Sequence, residues 1–72
     1  MTTLHRTKRK TEELQAIATQ ILTMSGADVS QAVAIRPLAK AMVRISGCSY
    51  QSAVPHIERA ILRARKELEP DQ

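Results

Sequence analysis

The chain has 72 residues, a length that supports one small hydrophobic core and cannot hold two domains. Its apolar share of 43% consists of aliphatic side chains and Met, with a single Tyr and no Phe or Trp, which favours aliphatic helices. The net charge of +4 and the pI near 9.9 favour a polyanionic partner, either nucleic acid or an anionic membrane.

Residues 1–10 are polar and basic and offer almost nothing to bury, so we predict a mobile basic arm. A helical pattern begins at Thr11, where Glu12 and Glu13 suit the positive end of a helix and Gly26 can end it. The apolar residues that recur at helical spacing in this segment are Leu14, Ile17, Ala18, Ile21 and Leu22. This pattern predicts the first helix.

The stretch 27–35 is ambiguous, because Asp28 or Ser30 can cap one short helical turn. We expect it to be a linker. The domain then has three helices, or four if this stretch is helical.

Pro37 suits the first residue of a second helix, and Gly47 suits the position just past its end. At about 100° per residue, this helix places Leu38, Ala41, Met42 and Ile45 on one face. The opposite face carries a basic stripe: Arg36, Lys40 and Arg44. The second helix is therefore predicted to be amphipathic, running from Pro37 to about Ser46.

A tight turn of Gly47, Cys48 and Ser49 leads to the third helix, for which Ser49 is a good N-cap. Its predicted buried face is apolar: Ala53, Val54, Ile57, Ala60, Ile61, Ala64 and Leu68. Its opposite face is polar and then basic: Gln51, Ser52, Pro55, His56, Arg59, Arg63 and Lys66. Pro70 ends the helix, which gives a domain of residues 11–69 and a tail of residues 70–72.

Two helices joined by a short turn that contains Gly follow the helix-turn-helix plan. The run PLAKAMVRISGCSYQSAVPHIERAI resembles helix-turn-helix DNA-binding domains in its Ala-bearing first helix, Gly turn and Ser-capped second helix. It departs from the common form at Val43, where a small Ala is usual, and at Pro55, which removes one backbone hydrogen bond. The resemblance implies an all-α DNA-binding domain in which the helix after Ser49 enters the major groove.

On this plan, the third helix carries the sequence-reading residues, which we predict to be Gln51, Ser52, His56 and Arg59. Tyr50 can reach bases or phosphates. The predicted phosphate contacts are basic: Arg36, Lys40, Arg44, Arg63 and Lys66. The arm residues Arg6, Lys8, Arg9 and Lys10 are expected to lie along phosphates or in a minor groove.

Other classes of function find little support in the sequence. His5, His56 and Cys48 lack the paired spacing of a structural metal site, and we expect no metal or other cofactor. No acid–base constellation or glycine-rich phosphate loop is present, so we do not expect an enzyme. Exposed faces without aromatic anchors disfavour membrane binding, and the absence of a spanning segment, a signal core or a second cysteine predicts a cytoplasmic location.

The sequence therefore predicts a sequence-specific, double-stranded DNA-binding protein, a small transcriptional regulator. The alternative is a helical protein-interaction module or dimeric adaptor that does not contact DNA. Leu62 and Val43 lie outside the apolar arcs of their helices, so either residue can contribute to a protein interface. A homodimer is expected because the core is small.

Overall fold

The computed structural model describes the backbone of residues 3–69 and the side chains of residues 11–69. This part of the chain contains three α-helices and no strand: α1 (Thr3–Ser25), α2 (Ile35–Ser46) and α3 (Tyr50–Leu68). Each helix packs against the other two. The predicted small all-α domain of three helices is confirmed.

The first helix begins earlier than expected. Its backbone is helical from Thr3 rather than from Thr11, so the predicted arm from residue 3 to residue 10 belongs to α1. These residues include no Gly or Pro, and Lys and Arg have high helix propensity, so the helix can extend without an apolar face in this stretch. At its other end, Gly26 adopts a φ of 71°, the left-handed conformation in which a helix commonly ends.

The segment between α1 and α2 forms turns rather than a fourth helix. The Asp28 carboxylate accepts hydrogen bonds from the Ser30 backbone N–H (3.0 Å) and from the Ser30 hydroxyl (2.6 Å). The hydroxyl bond first, and then the backbone bond, hold the pKa of Asp28 below its ordinary value of 3.8. Val29 is buried in the core, so the linker also contributes to packing.

The second helix starts at Ile35, two positions before the predicted Pro37. Pro37 is the third residue of α2. The first N–H groups of a helix have no acceptor within the helix, so a proline there removes no helical hydrogen bond. Gly47 ends α2 as predicted, with a φ of 78° and an N–H that donates to the Val43 carbonyl over 2.9 Å.

The third helix is capped as predicted, because the Ser49 side chain accepts a hydrogen bond from the Ser52 N–H over 3.1 Å. The helix continues past Pro55 to Leu68. Pro55 supplies no N–H to the carbonyl of Gln51, four residues earlier.

The core contains aliphatic side chains from all three helices and from the linker. Its buried members are Ala18, Ile21, Leu22, Val29, Leu38, Ala39, Met42, Ala53, Ile57, Ala60 and Ile61. Two expected core residues are exposed instead, Ile45 by 66% and Leu68 by 60%. Both lie in the last turn of their helix. Periodicity predicts the direction of a side chain from its helix axis, but it does not predict whether a neighbouring helix extends far enough to cover that side chain.

Candidate nucleic-acid interface

The basic stripe of α2 points away from the core. Leu38, Ala39 and Met42 are buried on one side of the helix, whereas the three stripe residues are exposed: Arg36, Lys40 and Arg44. Successive stripe residues are four positions apart, so they lie within an arc of about 80° and span about 12 Å along the axis. This surface can contact several phosphates of one nucleic-acid backbone.

The start of α3 presents polar groups beside the turn. Gln51 is exposed, Tyr50 is exposed by 42%, and Ser52 is half-buried. No acidic residue lies in the first turn, so the positive end of the helix dipole is not neutralised there. Gln51 presents an exposed amide, a group that can pair with an adenine edge, beside an electropositive helix end.

His56 does not lie free on the outer face of α3. Its Nδ1 is 2.8 Å from Oε1 of Gln15 in α1, and the Gln15 Nε2 donates to the His56 backbone carbonyl over 3.0 Å. Because the carbonyl requires a donor, the amide oxygen must face the ring, so Nδ1–H donates to it. His56 is half-buried and joins α1 to α3, and only its Nε2 edge remains for a ligand.

Arg59 and Arg63 are exposed, and both line a groove between α3 and α1. They line one wall of a shallow groove of about 360 Å³. The other wall consists of α1 residues: Thr11, Glu12, Gln15, Ala16 and Thr19. Arg59 lies about 80° around the helix from Gln51 and lines the groove against α1.

The remaining predicted contacts divide into two groups. Lys66 is exposed near the end of α3. The side chains of Arg6, Lys8, Arg9 and Lys10 lie outside the described residues, although their backbone belongs to α1.

Arg65 has a structural role that the helical pattern did not reveal. Its Nε donates to the Val29 carbonyl over 2.7 Å, and one of its terminal nitrogens donates to the Gln31 carbonyl over 3.2 Å. These bonds fasten the linker to α3. Gln15 was missed in the same way, because both side chains reach partners more than thirty residues away in sequence.

Cys48 and His56 do not belong to a metal centre in the described part of the chain. No group of three His, Cys, Asp or Glu side chains there is able to hold a metal ion. The Cys48 thiol is free and half-buried, and it packs against the core behind the turn. The side chain of His5 lies outside the described residues.

Comparison of the chain with protein-family models, curated proteins and solved structures finds no match. Among the helices of residues 3–69, none has the length and apolarity of a membrane-spanning segment.

Proposed function

We propose that this protein binds double-stranded DNA in a sequence-specific manner through α2 and α3. One observation carries the proposal: a hairpin of two helices presents an exposed cationic stripe on α2 and an exposed, acid-free polar start on α3. Sequence-specific duplex binding requires both features, because phosphate contacts supply affinity and base-edge contacts supply sequence preference.

In the proposed complex, the start of α3 enters the major groove. Gln51 then forms two hydrogen bonds with an adenine edge, and Tyr50 and Ser52 contact neighbouring bases or phosphates. The α2 stripe lies along the backbone of the duplex and releases counterions from it.

The positions of Arg59 and His56 change the roles assigned to them from sequence. Arg59 and Arg63 line the α1 side of α3, which favours phosphate contacts for both residues over base reading. The bonds of His56 to Gln15 favour a positioning role, since they fix α3 against α1. Gln51 is therefore the principal base-reading residue of the proposal.

A chain of this size that binds specific DNA fits the role of a small transcriptional regulator acting in the cytoplasm. A homodimer fits this role as well, since two copies would read two half-sites of a palindrome. Val43 is half-buried against the core, so it offers little surface for the interface of that dimer. Ile45 is an exposed apolar residue on α2 and is better placed to contribute to the interface.

The test is a selection of bound sites from randomised duplex, followed by affinity measurements on the selected site and on random duplex. Gln51→Ala is expected to cost about 1–3 kcal/mol on the selected site and almost nothing on random duplex. Gln20→Ala is the matched control, because Gln20 is an exposed glutamine on α1.

Equal losses on both duplexes for Gln51→Ala would show that α3 contacts phosphates only. If selection enriches no sequence, or if the wild-type protein does not bind duplex, the proposal is wrong.

A further inference from the structure

Leu62 is an exposed apolar residue in the middle of the outer surface of α3. It is 61% exposed, and two shallow grooves meet at it. The first groove, of about 240 Å³, lies on the α2 side and is lined by Val33, Ile35 and Ile61 together with Glu58 and Arg65. The second, of about 490 Å³, runs toward the end of α3 and is lined by Arg59, Arg63, Arg65, Lys66 and Glu69.

One exposed leucine is ordinary on a protein surface. Here, however, Leu62 continues into the half-buried side chains of Val33 and Ile35, so the apolar surface extends from α3 across to the beginning of α2. An apolar groove of this shape accommodates a side chain from a partner, and burial of that side chain beside Leu62 supplies affinity.

The charges around Leu62 restrict the partner. Four cationic residues and two acidic residues line the two grooves, so the surroundings carry a net positive charge. Arg65 is committed to the linker carbonyls, which leaves three cations for a partner: Arg59, Arg63 and Lys66. A complementary partner therefore combines apolar side chains with carboxylates.

A second copy of the chain lacks this complementarity. In a two-fold dimer through this face, it would bring the same excess of positive charge against these grooves, and like charges brought together in an interface cost free energy. Duplex DNA complements the cations, but phosphates leave the apolar surface of Leu62, Val33 and Ile35 without an apolar partner.

We propose that this Leu62 face docks an acidic amphipathic helix of another protein. An apolar side chain of that helix enters the groove between Leu62 and Ile35, and its flanking carboxylates pair with Arg59, Arg63 and Lys66. The mode is that of a helix in a groove, with anchors at helical spacing. The proposal does not depend on DNA binding, although a helix seated here competes with a duplex for the same cations.

The test uses the full chain without nucleic acid and a library of synthetic helical peptides with leucines at positions i, i+4 and i+7. One half of the library carries Glu at the flanking positions, and the matched half carries Lys. Fluorescence anisotropy is expected to show binding by members of the Glu half and not by their Lys counterparts.

Leu62→Ala is expected to weaken peptide binding about tenfold, because the anchor loses its apolar partner. Lys66→Glu is expected to weaken it as well, and more at low salt than at high salt. Met24→Ala is the control, since Met24 is an apolar residue on α1 that is 84% exposed and lies outside both grooves. Thermal melting verifies that each variant is folded.

Three results would overturn the proposal. The first is that the Glu peptides bind no better than the Lys peptides. The second is that Leu62→Ala and Met24→Ala have the same effect on peptide binding. The third is that Leu62→Ala abolishes self-association of the chain or weakens duplex binding while no peptide binds, which would assign the face to a second copy or to DNA.

Discussion

Neutralising the basic stripe of α2 is expected to change the salt dependence of duplex binding by a calculable amount. The substitutions Arg36→Gln, Lys40→Gln and Arg44→Gln remove three cations that are exposed on one side of the helix. Each phosphate neutralised by a protein contributes about 0.9 to the slope of log affinity against log salt. If each stripe residue contacts one phosphate, the slope is expected to decrease by about 2.7.

Anisotropy with a labelled duplex between 50 and 200 mM salt measures this slope. Over that range, the wild-type affinity is expected to fall by a factor roughly 40 times larger than that of the triple variant. The control adds three negative charges at exposed positions of α1 and the linker: Gln20→Glu, Gln31→Glu and Ala32→Glu. Both variants lose three units of charge from a net +4, so general electrostatics affect them alike.

A slope that is unchanged in the triple variant, or reduced equally in the control, would refute phosphate contacts by the α2 stripe. The duplex would then contact a different surface of the protein.

Four further predictions concern the fold and its assembly. Ile57→Ala is expected to lower the free energy of unfolding by about 2–5 kcal/mol in urea denaturation, because Ile57 is fully buried, whereas Leu62→Ala is expected to change it by less than about 0.5 kcal/mol. Gly47→Ala is expected to cost about 1–2 kcal/mol in the same assay, since an alanine is strained at a φ of 78°, and an unchanged midpoint would contradict that strain. The pKa of Asp28 is lowered in the folded state, so the ionised carboxylate stabilises the folded state above pH 3.8, and this stabilisation is lost as the pH falls further. Asp28→Asn is expected to remove this part of the acid dependence of the free energy of unfolding. Sedimentation at micromolar concentration is expected to show a dimer that survives Leu62→Ala, and a species of 8.0 kDa at all concentrations would exclude the dimer.

The sequence by itself determined the features that depend on neighbouring residues. The turn between α2 and α3 was predictable because Gly47 alone tolerates the left-handed conformation there and Ser49 provides the cap. The outward direction of the α2 stripe was predictable from its spacing of four residues. Proline predicts the start of a helix less accurately, because any position in the first turn accepts it. Consistent with this, α2 begins at Ile35 and not at the predicted Pro37.

Only the tertiary structure decided which exposed or polar residues are available to a ligand. His56 appeared free on a helical wheel, but Gln15 binds it across 41 positions of sequence. Arg65 resembled any other surface cation, but it fastens the linker across 36 positions. Such pairs depend on how the helices pack, and helical periodicity describes only the direction of each side chain from its own axis. The same limit explains why Ile45 is exposed although its position on α2 predicted burial.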